Sequence, residues 1–268
     1  MMRYFSQYDW LVSYEVMGAA SVVYLTSIFV LKNVMKNQDK LDPKLFMQVY
    51  NLAQVVLCSY MCYGFATSSF DIMNPFGLNS QYNAGTEWFM LVHYLSKFLD
   101  YCDTWIMLVK KNDRQLTFLH VYHHTSILII WGYLLQVGDA NGTAYFGAFI
   151  NSFIHLIMYS HYFITSIGLE NPFKMFITIA QLGQFYLCIG HAIAAVLFEE
   201  VFPKSLAYLQ FGYHITMIIL FSDFFNKTYK GGKEGKGSKG KKEADATPAD
   251  AAAAAAAATT TKKAKKVL

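Results

Sequence analysis

An all-α, polytopic membrane protein with seven transmembrane helices is the fold class this chain predicts, and three observations carry that expectation. Of its 268 residues, 54% are apolar and 15% charged, and the mean hydropathy is +0.26, a balance that suits a bilayer better than water. Seven runs of about 20 residues are apolar enough to cross a hydrocarbon core of roughly 30 Å. The apolar/polar alternation of a barrel strand is missing, so a chain in lipid must satisfy its backbone within helices.

The runs cover approximately 15–32, 44–66, 86–109, 116–137, 143–165, 173–197 and 205–226. The first opens on Tyr14, Glu15 and Val16, too polar and too late for a cleaved leader, and reads as a retained helix. The third carries Lys97, Asp100, Asp103 and Thr104. Three-residue spacing stacks Lys97, Asp100 and Asp103 along one stripe. That stripe is either a charge cluster that neutralises itself or one that orients a neighbouring histidine or meets a polar substrate, and both can hold.

The fourth run contains FLHVYHH at 118–124, and imidazoles inside a membrane segment mark a functional site by default. His120 and His124 share a face, while His123 is rotated about 100° from His124. The fifth adds Asn151, His155, Tyr159, His161 and Tyr162, of which Asn151, His155, Tyr159 and Tyr162 follow one helix face. The sixth adds Thr178, Gln181 and Gln184. One such residue alone would be an ordinary interhelical hydrogen bond; sets on four helices point to a common polar chamber.

Lysines and arginine set the orientation. Lys32, Lys36, Lys40, Lys44, Lys110, Lys111 and Arg114 lie at one set of run ends, and Asp71, Asp139, Glu199 and Glu200 at the other. The positive-inside rule puts the first set and the C-terminal tail in the cytosol and the N-terminus on the lumenal side. His120–His124 then lie roughly 6–12 Å from the cytosolic end of their run. The lumenal halves are mostly apolar, and a polar chamber above an apolar interior suits a polar-headed, long-tailed substrate.

Residues 1–226 read as one domain. Residues 227–268 hold eleven Lys against four acidic residues, with Lys/Gly alternation and an alanine run, the composition of a disordered cytosolic tail. Its lysines lack interleaved aromatics, which argues against nucleic acid and for anionic lipid as their partner. Lys265 and Lys266 ahead of Val267-Leu268 resemble a dilysine endoplasmic reticulum retrieval signal. Cys58, Cys62, Cys102 and Cys188 lie within the runs and read as small packing residues. Asn141-Gly-Thr143 is a glycosylation sequon so near the membrane that no glycan is expected.

HxxHH also occurs in membrane di-iron desaturases and hydroxylases, which need about eight histidines in several boxes. Here there is one box, and His93, His155, His161, His191 and His214 are scattered. No GxSxG elbow or nucleophilic cysteine motif is present, so metal-free histidine chemistry, as base or nucleophile, is the economical reading. A non-enzymatic seven-span receptor or scaffold is the alternative, and it explains the span number only.

KFLDYCDT (97–104), QLTFLHVYHHTS (115–126), NSFIHLIMYSHYFIT (151–165) and TIAQLGQF (178–185) resemble, in order and spacing, the signatures of the very-long-chain fatty acid elongases, the ELO family of 3-oxoacyl-CoA synthases. The resemblance runs from about residue 10 to 229. It implies condensation of acyl-CoA with malonyl-CoA to 3-oxoacyl-CoA, CoA and carbon dioxide, the first step of microsomal elongation, without cofactor or metal. It implies His123 as the nucleophile that forms an acyl-imidazole, His155 beside it, and His120, His124, Asn151 and Gln181 as donors to developing charge. Lys97, Asp100, Asp103, Tyr159 and Gln184 then support the site, and Lys110, Lys111, Arg114 and Lys174 meet the CoA phosphates. The implied partners are membrane lipid, the 3-ketoacyl-CoA reductase, dehydratase and enoyl-CoA reductase of the cycle, and a second copy of the chain. Two departures stand out: Asp100 where the family commonly has Glu, and His161-Tyr162 where it has Tyr-Tyr. The lumenal ends of runs six and seven, around 189–197 and 206–213, are expected to floor an acyl-chain tunnel, with Phe198 and Tyr208 among the bulky residues that limit product length.

Overall fold

The computed structural model describes residues 1–227. The basic tail from residue 228 onward, with its dilysine, lies outside the described residues. Among the described residues eight α-helices follow one another: α1 (Tyr14–Met35), α2 (Lys44–Ser68), α3 (Ala84–Leu99), α4 (Tyr101–Val109), α5 (Phe118–Val137), α6 (Tyr145–Ser166), α7 (Lys174–Phe198) and α8 (Lys204–Phe225). Two 3-10 turns, Ser6–Val12 and Gly142–Ala144, complete the order, and no strand occurs among the described residues. By length and composition, four helical stretches there are apolar enough to cross a membrane: Ser6–Met35, Lys44–Ser68, Lys174–Phe198 and Lys204–Phe225. Of the helices between them, α3 and α4 are short, at 16 and 9 residues, and α5 carries the three box histidines, which lower its hydropathy.

The third run departs from the expected single helix. It is two helices, α3 and α4, meeting at Asp100, which has φ −61° and ψ −18°. The chain tightens there: the Asp103 N–H donates three residues back to Asp100 O at 3.2 Å, while the Asp100 N–H keeps the ordinary four-residue bond to Ser96 O at 3.1 Å. Aspartate is a poor interior helix residue because its short side chain competes for nearby hydrogen bonds. Here that side chain is drawn instead to groups on α2, α3 and α6.

Side-chain caps mark where α5 and α3 begin. Thr117 accepts the backbone N–H of His120 at 3.2 Å, so the histidine box occupies the first turns of α5. Asn83 does the same for α3 through Thr86 N–H at 2.8 Å. Each cap satisfies one of the donors that a helix N-terminus leaves unpaired. Gly138 ends α5 at φ +83°, a left-handed conformation that glycine adopts without steric cost.

In the bundle α2 packs on α6 and α7 on α8. Tyr24, Phe65, Tyr94, Leu128, Tyr159 and Met217 are among the fully buried side chains. Val22, Phe29, Val56, Tyr63, Phe176, Leu197 and Ile219 face outward, an apolar exterior that belongs in lipid rather than water.

At the end opposite the lysine-bearing loops, three connections are laced together. Glu199 accepts the backbone N–H groups of Asn79 at 2.8 Å, Val201 at 2.9 Å and Phe202 at 3.1 Å, and the Thr143 hydroxyl. Burial alone would raise its carboxyl, but these hydrogen bonds outweigh burial and hold it below the usual range. Glu87 similarly gathers the N–H groups of Arg3, Tyr4 and Phe5. Asn141 is 1% exposed and bonded through both ends of its amide to the backbone of Asn83, which leaves no room for a glycan on the folded chain.

Candidate functional site

A cavity of about 270 Å³ opens among α2, α4, α5, α6, α7 and α8. All three box histidines line it, with Asn151, His155, Tyr159, His161 and Tyr162 from α6 and Thr178, Gln181 and Gln184 from α7. A smaller cavity of about 60 Å³ lies beyond it, walled by Ile127, Trp131, Leu134, Phe202, Leu206, Leu209 and Tyr213 among others. His123, Asn151, Gln184 and Phe185 line both. His123 therefore stands where a polar chamber meets an apolar one.

Each histidine has its own surroundings. His120 Nε2 lies 2.7 Å from Thr104 Oγ1, and the Tyr24 hydroxyl is 2.8 Å from that same oxygen. His124 packs against His120 with ring centroids 4.2 Å apart, as residues four apart on a helix should. His123 meets His124 edge-on at 5.6 Å between centroids and places Nδ1 3.0 Å from the Tyr213 hydroxyl of α8. His155 Nδ1 faces Asp100 Oδ2 at 4.0 Å, too long for a hydrogen bond.

Lys97 and Asp100 stand behind the cavity wall rather than in it. The Lys97 ammonium donates to Asp100 Oδ2 at 3.0 Å and to Asn151 Oδ1 at 3.2 Å, fixing the amide that borders His123. Gln54 donates to Asp100 Oδ1 at 2.8 Å, and the Tyr159 hydroxyl lies 3.3 Å from it. Tyr159 reaches Asp103 Oδ2 at 2.7 Å, and Asp103 is on the cavity wall. Lys97 and Asp100 thus neutralise each other, and the second partner of Lys97 is the Asn151 amide rather than a histidine.

The four basic residues expected to meet phosphates are spread apart. Lys174 lines the cavity. Lys110 sits 3.9 Å from Asp42 and 3.5 Å from Met47 sulfur, and burial draws its ammonium below the ordinary range although Asp42 opposes the shift. Lys111 occupies a left-handed position at φ +52°, and Arg114 follows in the segment whose Gln115 and Thr117 reach the cavity rim. His161, the departure from the usual Tyr, is 4% exposed and part of the cavity wall.

Two expectations about the chamber's far end need correction. Phe198 and Tyr208 are 63% and 61% exposed and border neither cavity. Of the stretch 189–197 no residue lines the smaller cavity, whose far wall comes from Phe202, Leu206 and Leu209 with Trp131 and Leu134. An all-apolar helix gives no periodic cue to which side faces lipid and which faces a cavity. Sequence reasoning also passed over Tyr50, Gln54 and Tyr213. The polar spacing Gln48, Asn51, Gln54 in α2 and the Tyr213-His214 pair in α8 were the available signals. Among the described residues, no group of three or more His, Cys, Asp or Glu side chains is arranged to hold a metal ion.

Comparison with known proteins converges on one family. The sequence model of the ELO: GNS1/SUR4 family matches residues 10–237. Fatty acid elongase 5 of Trypanosoma cruzi (strain CL Brener) is 42% identical over 219 residues, covering 82% of this chain and 86% of the relative. Fatty acid elongase 5 of Leishmania major is 43% identical over 216 residues, or 81% and 86%. Very long chain fatty acid elongase 5 of Mus musculus is 35% identical over 217 residues, or 78% and 72%.

Proposed function

The chain belongs to the ELO (GNS1/SUR4) family of fatty acid elongases, and from that premise we propose that it is the 3-oxoacyl-CoA synthase of the elongation cycle. It is a multi-pass membrane protein, and the reading extends to seven spans, counting α3 and α4 as one, in the endoplasmic reticulum membrane with the lysine-bearing loops in the cytosol.

In this reading the acyl-CoA thioester enters the larger cavity, and its acyl tail passes His123 into the smaller one. His123 Nε2 attacks the carbonyl carbon, the C–S bond breaks, and CoA leaves as thiolate. Malonyl-CoA then loses carbon dioxide, and the resulting carbanion attacks the acyl carbon and releases 3-oxoacyl-CoA. A cavity poor in water protects the acyl-imidazole from hydrolysis. His155, His120, His124, Asn151 and Gln181 border the reacting carbons and supply donors for oxyanion and enolate. Lys174, with Lys110, Lys111 and Arg114 at the same end, offers cations for CoA phosphates. The single observation that supports this reading most is His123 at the junction of a polar and an apolar cavity.

Microsomes carrying the chain should convert labelled malonyl-CoA and an acyl-CoA primer into extended 3-oxoacyl products, and no incorporation across a panel of primers would refute the assignment. Because histidine chemistry needs no cofactor here, full activity is expected after exhaustive chelation; loss restored by iron or zinc would overturn that part. The 3-oxo product must pass to the reductase, dehydratase and second reductase of the cycle, so those enzymes are the proposed partners, with a second copy of this chain.

If the smaller cavity receives the acyl terminus, its far wall sets product length. Phe202→Ala and Leu206→Ala should shift products toward longer chains while condensation continues, as read from the product spectrum by mass spectrometry. Tyr208→Ala, on the exterior, should leave it unchanged. An identical spectrum for both wall variants would show that length is measured elsewhere.

A further inference from the structure

We infer that Tyr213 is a positioning residue for the nucleophile, holding the His123 proton on Nδ1 so that the Nε2 lone pair faces the thioester. The inference rests on the proposed role of His123 and adds a residue from α8 to it.

An imidazole attacks through the nitrogen that carries no proton, and its partner at the other nitrogen decides which one that is. The Tyr213 hydroxyl is 3.0 Å from His123 Nδ1, while His123 lines both cavities. Ser126 Oγ is 2.6 Å from Tyr122 O and 3.5 Å from the Tyr213 oxygen. The shorter contact takes the Ser126 proton, which leaves Ser126 Oγ to accept the Tyr213 O–H, so the Tyr213 oxygen accepts from Nδ1–H. Tyr213 is 8% exposed. Its ring is flanked by Tyr122 at 6.4 Å and His214 at 5.4 Å between centroids, so the oxygen is held in place before substrate arrives.

The electron count agrees with this arrangement. Attack forms the Nε2–C bond, expels the thiolate with the C–S electron pair, and leaves a cationic acyl-imidazolium whose Nδ1–H is a stronger donor to Tyr213. When the carbanion attacks, the N–C electron pair returns to Nε2 and neutral His123 is regenerated with its proton still on Nδ1. The thiolate takes its proton from solvent. Tyr213 thus stabilises the cation without itself exchanging a proton.

The test measures acylation of His123 in purified full-length protein given palmitoyl-CoA without malonyl-CoA. Tyr213→Phe keeps the ring and removes the acceptor, and should slow acylation at least about tenfold at unchanged KM for acyl-CoA. Tyr213→Gln, whose amide oxygen can accept from Nδ1, should recover part of the rate, and Tyr122→Phe should match wild type. Wild-type acylation rate in Tyr213→Phe would overturn the inference, whereas absence of any His123 adduct in the wild-type protein would instead refute the nucleophile assignment beneath it. Nitrogen-15 spectra of histidine-labelled wild type give a readout independent of any variant: a proton on Nδ1 of His123 is expected, and one on Nε2 would sink the proposal.

Discussion

His123→Ala should reduce condensation by about 10³-fold or more while the protein still inserts and accumulates. Removing the proposed nucleophile would delete the covalent route outright, so the loss should fall on kcat and kcat/KM together rather than on KM alone. Packing changes little by comparison, since His123 borders two cavities and its ring makes its hydrogen bond to Tyr213 at the wall. Radiolabelled malonyl-CoA incorporation in membranes matched for protein content measures the effect. Turnover near that of the wild type would place the nucleophile on another side chain.

Asp100→Ala should cost about 3–5 kcal/mol of stability, because it strands the Lys97 ammonium in the bundle without its counter-charge. Both side chains of that pair are almost fully buried, at 3% and 4% exposure, and Gln54 would lose one of its two acceptors, keeping the Tyr50 hydroxyl. Thermal unfolding in detergent, followed by the loss of monodisperse protein, reads the change. Lys97→Met together with Asp100→Asn should recover most of the stability, since the charge is gone and an amide oxygen still accepts from Gln54. A double variant no more stable than Asp100→Ala would show that the charge imbalance is not the origin. Activity should stay low in both, because Lys97 also holds Asn151 beside His123.

Hydropathy predicted the helical segments because the requirement to bury about 20 residues in hydrocarbon leaves a coarse signal that spacing and loops reinforce. The polar chamber was legible for a related reason: histidines and amides are rare in lipid-facing positions, so their helical spacing exposes the inward face of α5, α6 and α7. The break at Asp100 was not, since a helix that tightens for one residue changes no average over a window. The facing of α8 was hidden too. Lipid and an acyl cavity present the same apolar demand, so Leu206 in the wall and Tyr208 outside it carry no distinguishing mark in the sequence. Tyr213 was missed because a tyrosine in the middle of an apolar helix reads equally well as an ordinary packing aromatic.

The placement of the charges along α3 and α4 also bears on how the protein is made. Lys97 and Asp100 neutralise each other within a single helical turn, so this segment brings its own counter-charge and can leave the translocation machinery for lipid before any later helix exists. Asp103 has no such local partner. Its 2.7 Å hydrogen bond comes from Tyr159, 56 residues further along the chain, beside a contribution from Tyr50 of α2. Until α6 arrives, Asp103 has an incentive to stay near water, and docking of α6 removes it. Arrival of Tyr159 brings the α6 side of the cavity wall with it, before α7 and α8 supply the rest, which ties the building of the candidate site to the order in which helices are synthesised.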